Sequence, residues 1–180
     1  MHNSLINRIT TMRTLYILFL LLFLTLNSAS AQQVCDADLP ESTPSSQFTV
    51  NVDKTVEDST TGLMWKQCLE GDAACTTDPN VPGTYTFAEA VTQVNTANAP
   101  SGFAGYTDWR LPNIKELQSI VEEQCSAPAV NLTSFPNTPS EEILSNSPMF
   151  LMASNYWVID FSSGAMLFNT AGHVRLVRDN

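Results

Sequence analysis

Nine residues, Asp108 to Glu116, gather two carboxylates, an arginine and a lysine around a tryptophan and a proline, DWRLPNIKE. A carboxylate beside a guanidinium can move a proton or clamp an anionic group. The same residues can also be a structural ion-pair set. Asp108 and Arg110 fall on one side of an extended segment, and Glu116 stands three after Asn113, where it closes a helix cap. That spacing assigns Asp108, Arg110 and Glu116 to structure, because ion-pair networks perturb acids as readily as active sites do.

The other residues able to do chemistry lie near the C-terminus. His173 could act as a base, but no second histidine follows Ala31 and no nucleophile motif accompanies it, so a Ser-His-Asp triad is not expected. Arg175 and Arg178 could each hold an acid through a two-pronged fork. Trp65, Trp109 and Trp157 could stack on sugar rings. Trp65 and Trp109 sit in strand-like contexts that predict core packing, leaving Trp157 and Tyr156 beside a long loop. Asn155, Tyr156, Trp157, His173 and Arg175 are therefore the candidate ligand-binding residues.

Metal chemistry is poorly supported. Cys35, Cys68, Cys75 and Cys125 lack the spacing of paired CxxC knuckles, so zinc is not expected. Asp72 and Asp78 offer oxygen atoms to calcium, but no loop has a calcium-ligand spacing, so no cofactor is predicted. Asp78-Pro79-Asn80 reads as a turn. Asn131-Leu132-Thr133 is a glycosylation sequon only in a eukaryotic chain.

These residues follow an export leader. Arg8 and Arg13 precede the apolar run Leu15–Leu26, broken only by Thr25, and Ala29-Ser30-Ala31 is a small-x-small cleavage site. The run is too short to span a bilayer, so residues 1–31 are predicted to be a signal peptide. No stable membrane insertion is expected after cleavage. The first cysteine stands beyond Gln32-Gln33-Val34, which argues against a lipid anchor.

Residues 32–180 carry six basic and eighteen acidic side chains, a net charge of −12. Such a surface repels phosphate backbones, so no nucleic-acid partner is expected. Four cysteines in an exported chain predict two disulfides, with three possible pairings. Cys68 and Cys75 are separated by LEGDAA, which can turn at Gly71. The expected pairs are Cys68–Cys75 and, by elimination, Cys35–Cys125.

Residues 32–47 are polar, a tethered N-terminal tail, and 48–180 are the domain proper. Strands are expected at Phe48–Val52 and Leu63–Gln67, with EDSTTG as a turn between them. Thr86 with Glu89, and Asn113 with Glu116, form capping boxes that open two helices. The first buries Phe87, Ala90, Val91 and Val94; the second buries Ile114, Leu117, Ile120 and Val121. Residues 126–155 read as loop with one helical turn near Glu141. Tyr156–Phe161, Met166–Asn169 and His173–Arg178 form a closing meander. Helices in the middle and strands at both ends predict an α+β fold with antiparallel pairing.

The chain resembles the Lcl C-terminal domain family, a domain of unknown function. The carriers are TVEDSTTGLMWKQC, TYTFAEAV, GFAGYTDWRLPNIKELQSIVEEQC, PAVNLTSFPNTPS and VRLVR. The resemblance implies a C-type-lectin-like fold, two helices packed on a small antiparallel sheet with a long irregular loop region. It also implies a bacterial source and a place at the ends of collagen-like adhesins that attach to sulfated polysaccharide. After FPNTPS the family usually has a Trp-Ser-rich segment; here EEILSNSPMFLMASNYW stands in its place.

The functional expectation is a non-catalytic binding module, secreted, periplasmic or displayed on the cell surface, with an extracellular glycan or protein as ligand. A cell-envelope assembly protein is the first alternative. An enzyme related to the formylglycine-generating superfamily is the second.

Overall fold

The computed structural model describes residues 32–72, Cys75 and residues 83–180. The leader and the Asp78-Pro79-Asn80 turn lie outside them. In chain order the strands are β1 (Val34–Cys35), β2 (Phe48–Val50), β3 (Thr55–Asp58), β4 (Leu63–Lys66) and β5 (Tyr85–Thr86). Helices α1 (Phe87–Ala97) and α2 (Ile114–Gln118) follow. Then come β6 (Cys125–Ser126), β7 (Glu142–Pro148), β8 (Tyr156–Asp160), β9 (Ala165–Asn169), β10 (Ala171–Gly172) and β11 (Val177–Asp179).

This is not the expected two-helix, C-type-lectin-like α+β arrangement. The described residues form eleven strands in four antiparallel sheets, ordered β11-β4-β3-β2, β7-β8-β9, β1-β6 and β10-β5. Both capping boxes exist and do start helices. They support only 11 and 5 residues, too little to make a helical layer. A cap fixes where a helix begins and says nothing of its length.

Three local expectations also change. EDSTTG is not all turn: β3 takes Glu57 and Asp58 into the ladder. The turn begins at the Asp58 carboxylate, which accepts the Thr60 N–H at 2.9 Å and the Thr61 hydroxyl at 2.7 Å. The segment near Glu141 is strand rather than helical turn. In β7 Ile143, Leu144 and Ser145 are buried in succession, so no alternation marks it. In α1 Val91 is 40 % exposed, and the buried stripe runs Phe87, Ala90, Val94, Ala97.

The core has two parts that meet across β7 and β8. Ile143 and Ile159 pack with Trp65, Leu117, Ile120, Phe135, Phe161 and Val177 on one side. Leu144 and Val158 pack with Trp109, Leu111, Val174, Leu176 and Ala90 on the other. β7 and β8 are therefore covered on both faces. The last strand returns to the early sheet, with β11 pairing to β4 in the register Val177 to Trp65.

The N-terminal segment is built in. Cys35 pairs with Cys125 in β1–β6, and the two are joined by a disulfide; a second disulfide joins Cys68 to Cys75. The Glu122 carboxylate accepts the backbone N–H groups of Ser42, Thr43 and Gln124 and the hydroxyls of Ser42 and Thr43, at 2.8–3.0 Å. Burial opposes the charged form of Glu122. These donors outweigh it and hold the carboxyl below the usual carboxylate range.

Candidate functional site

The DWRLPN stretch is a joint between sheet and helix. Trp109 is buried, donates from Nε1 to the Phe103 carbonyl at 3.0 Å, and exchanges two backbone bonds with the Asn98 amide at 2.9 Å. The loop that receives it turns at Gly102, whose φ is +73° and where a Cβ would stand 1.9 Å from the Tyr106 carbonyl oxygen. Arg110 meets both oxygens of Glu116, at 2.8 and 2.9 Å, and Asp179 at 2.8 Å. Glu116 in turn accepts the Asn113 N–H at 2.8 Å, closing the cap of α2. Asp108 pairs with Arg178, not with Arg110. Each charged group of the stretch is thus matched inside the domain.

His173 and Arg175 are interior residues. Arg175 is fully buried. Its Nη1 donates to the carbonyls of Lys66 (3.0 Å) and Gln67, its Nη2 to the Thr138 hydroxyl at 2.8 Å, and its guanidinium lies 4.7 Å from the Phe135 ring centre. Burial pushes its guanidinium down to about 9, against the pull of nearby Glu70. Glu70 is itself buried and pushed up by desolvation, opposed by Lys66, whose ammonium sits 2.5 Å away. His173 Nε2 lies 2.8 Å from the more exposed Glu141 carboxylate. Glu141 also lines a cleft of 360 Å³, with Thr84, Glu142, Asn169, Ala171 and Gly172.

The remaining candidates do not form one surface. Tyr156 stacks on Phe87 with ring centres 3.8 Å apart, which covers a face a sugar would need. Trp157 points to the opposite side of β8 and meets Phe168 edge-on at 6.3 Å. Asn155 belongs to the 149–155 turn, where its N–H donates to the Met152 carbonyl and its own carbonyl accepts the Met149 N–H.

What surrounds them was not anticipated. In β9 Met166, Leu167 and Phe168 are 43, 42 and 43 % exposed, and in the loop closing β7 to β8 Phe150 and Leu151 are 88 and 70 % exposed. β9 pairs only with β8, so its outer backbone edge is open among the described residues. Edge strands are normally protected by charge, proline or a covering element. AMLFN has neither charge nor proline. From Ile143 to Gly172 the chain has a single charge, Asp160, and its carboxylate is held by the hydroxyls of Ser162 and Ser163. That uncharged run was a signal in the sequence; a strand count could not show that it ends at an open edge.

Residues 54–178 match the Lcl C-terminal domain, more than two thirds of the chain. The chain belongs to the Lcl C-terminal domain family. No curated protein matches it. The Lcl domain match takes in the DWRLPN joint, β3 and β4 of one core sheet, all of β7-β8-β9 and so the open edge of β9. It begins after β2, so β1, the Cys35 half of the long disulfide and the Ser42–Thr43 grip on Glu122 lie outside the matched span. Among the described residues no helix is long and apolar enough to cross a membrane, and no three His, Cys, Asp or Glu side chains group to hold a metal. The two disulfides fit an oxidising environment.

Proposed function

We propose that this protein is an exported, non-catalytic binding module that docks an extended apolar segment of another protein chain along β9. The observation carrying this reading is the open edge Ala165–Asn169 with three large apolar side chains half exposed. Strand addition supplies affinity through main-chain hydrogen bonds and selectivity through side-chain contacts on both faces. A protein ligand is favoured over a glycan because Tyr156 and Trp157 are engaged by Phe87 and Phe168. Binding rather than catalysis is favoured because the charged clusters are paired internally, and because all four cysteines are in disulfides. A leader of signal-peptide form and the disulfides support a secreted, periplasmic or surface location.

Selection of displayed random heptapeptides on the immobilised protein tests this. Strand-forming apolar peptides are expected, and Leu167→Lys should abolish their capture while a glycan array stays blank. Peptide capture unaffected by Leu167→Lys, or strong glycan binding without peptide binding, would overturn it.

A further inference from the structure

We infer that the segment received by β9 is β9 of a second copy of this chain, paired antiparallel about a two-fold axis at Leu167. This rests on the docking reading above and names its partner. Four observations select a second copy.

The first is continuity of the core. Met166 stands opposite Ile159 and Phe168 opposite Trp157, while Leu167 stands opposite Val158. Ile159 and Val158 belong to the two separate halves of the core. β9 therefore carries each half past the end of its own sheet, and the strand that completes it must be apolar on both faces. β9 is such a strand.

The second is self-complementarity, which a two-fold interface requires. Antiparallel pairing about Leu167 sets Leu167 against its own counterpart and Met166 against the second copy's Phe168, a thioether–aromatic pair on a shared face. Asn169 then meets the second Ala165. Because Asn169 pairs with Tyr156, just after the 149–155 turn, each copy's Phe150–Met152 approaches the other's Phe161–Gly164 turn.

The third is charge. Two chains of net charge −12 repel wherever acidic surfaces meet. Ile143–Gly172 carries only Asp160, and the carboxylate that reaches β9 from outside this run, Glu142, accepts the Asn169 side-chain amide at 2.5 Å, so this face meets its own copy with fewer free acids than the net charge implies.

The fourth is area. At ~200 Å² for a fully exposed side chain of this size, the exposed parts of Phe150, Leu151, Met152, Met166, Leu167 and Phe168 come to roughly 650 Å² per copy. Complete coverage of these parts would bury about 1,300 Å² in a pair, an upper figure at the low end of the range of specific interfaces.

The test is sedimentation of the protein purified after export of the full chain with its disulfides intact, between ~1 and ~100 µM, the weaker end of what such interfaces support. Wild type is expected to pass from monomer to dimer. Leu167→Lys should raise the dissociation constant at least tenfold with an unchanged circular dichroism spectrum. Val52→Lys, a charge at an exposed apolar residue in the turn between β2 and β3, should leave the dimer intact. A second readout is independent of fold loss: Leu167→Cys should link two copies under mild oxidation, and Val52→Cys should not.

A wild-type monomer across the range, or a dimer insensitive to Leu167→Lys, overturns the inference. If that monomer still captures apolar peptides in a Leu167-dependent way, the docking reading stands and the partner is a different protein. If Leu167→Lys alters neither dimer nor peptide capture, both fall.

Discussion

Arg178 donates from Nε to Asp108 at 2.8 Å and sets its guanidinium 4.1 Å over the Tyr106 ring. Arg178 lies on β11 and pairs in register with Met64 of β4, so this contact ties the Tyr106–Asp108 loop to the central sheet. Asp108 is held below its usual range first by the hydrogen bond from Arg178. Because the pair is largely solvent-facing on the acid side, its worth is small. Arg178→Ala should cost about 1–1.5 kcal/mol, the sum of an exposed ion pair and a cation–π contact. Thermal unfolding should show a fall of about 2–4 °C per kcal/mol at this chain length. Arg178→Lys should recover the charge and not the full stability, since an ammonium cannot fork.

Glu116 does two tasks, closing the α2 cap and receiving Arg110. Glu116→Gln keeps a hydrogen-bonding side chain at the cap and loses the charged clamp. Its cost should be about 1–2 kcal/mol. Asn113→Ala removes the other half of the box and should cost a similar amount. The double substitution should cost less than the sum, because both changes release the same turn. Urea unfolding of the four proteins measures this; strict additivity would mean that cap and clamp act separately.

The two disulfides should differ in weight. Cys35–Cys125 spans 90 residues and Cys68–Cys75 spans 7. The chain-entropy argument gives about 4–5 kcal/mol for the first and about 2–3 kcal/mol for the second. Paired serine substitutions, compared by denaturant midpoint, should rank in that order. Loss of the long bridge should also free β1 from β6, seen as faster amide exchange at Asp36, whose N–H donates to the Gln124 carbonyl at 2.9 Å.

Acid should loosen the N-terminal segment through Glu122. Its folded carboxyl lies below the ordinary value, so its stabilising contribution is complete above the unfolded value and is lost as pH falls through the folded one. Glu70 has the opposite sign: raised by burial, it favours the fold more as pH falls toward its unfolded value. Melting temperature followed from about pH 6 to pH 3 should therefore fall in wild type, and Glu122→Gln should start lower and depend less on pH. A Glu122→Gln profile parallel to wild type would show that another carboxylate governs acid unfolding.

Local chemistry was legible in the sequence, and layering was not. Both capping boxes announced themselves because each needs only two residues three apart, Thr86 with Glu89 and Asn113 with Glu116. The cysteine pairing followed from spacing. β7 was hidden because burial on both faces removes the alternation that marks a strand, and because Pro136, Pro139 and Pro148 give the surrounding segment the composition of a loop. The partner of Asp108 was hidden because it comes from a strand 70 residues away, which no local pattern can name. Likewise Met166-Leu167-Phe168 reads as an ordinary returning strand. Only the sheet order shows that nothing described lies beyond it.

Arg175 is the least replaceable of the buried polar groups. Its Nη1 joins the carbonyls of Lys66 and Gln67 where β4 ends, and its Nη2 reaches Thr138 on a separate loop. Arg175→Met keeps the stem and removes the donors, leaving two buried carbonyls short of a partner. It should cost about 2–3 kcal/mol. Arg175→Ala also opens a cavity against Phe135 and should cost about 4 kcal/mol. Arg175→Lys should resemble Arg175→Met, because a point charge on a flexible stem cannot span three acceptors in one plane. Thr138→Val removes one of the three Arg175 bonds and the hydroxyl's own bond to the Phe135 carbonyl, and should cost about 2 kcal/mol. Denaturant midpoints under non-reducing conditions rank the four variants. An Arg175→Lys protein as stable as wild type would show that charge near Glu70, and not the shape of the fork, is what this position supplies.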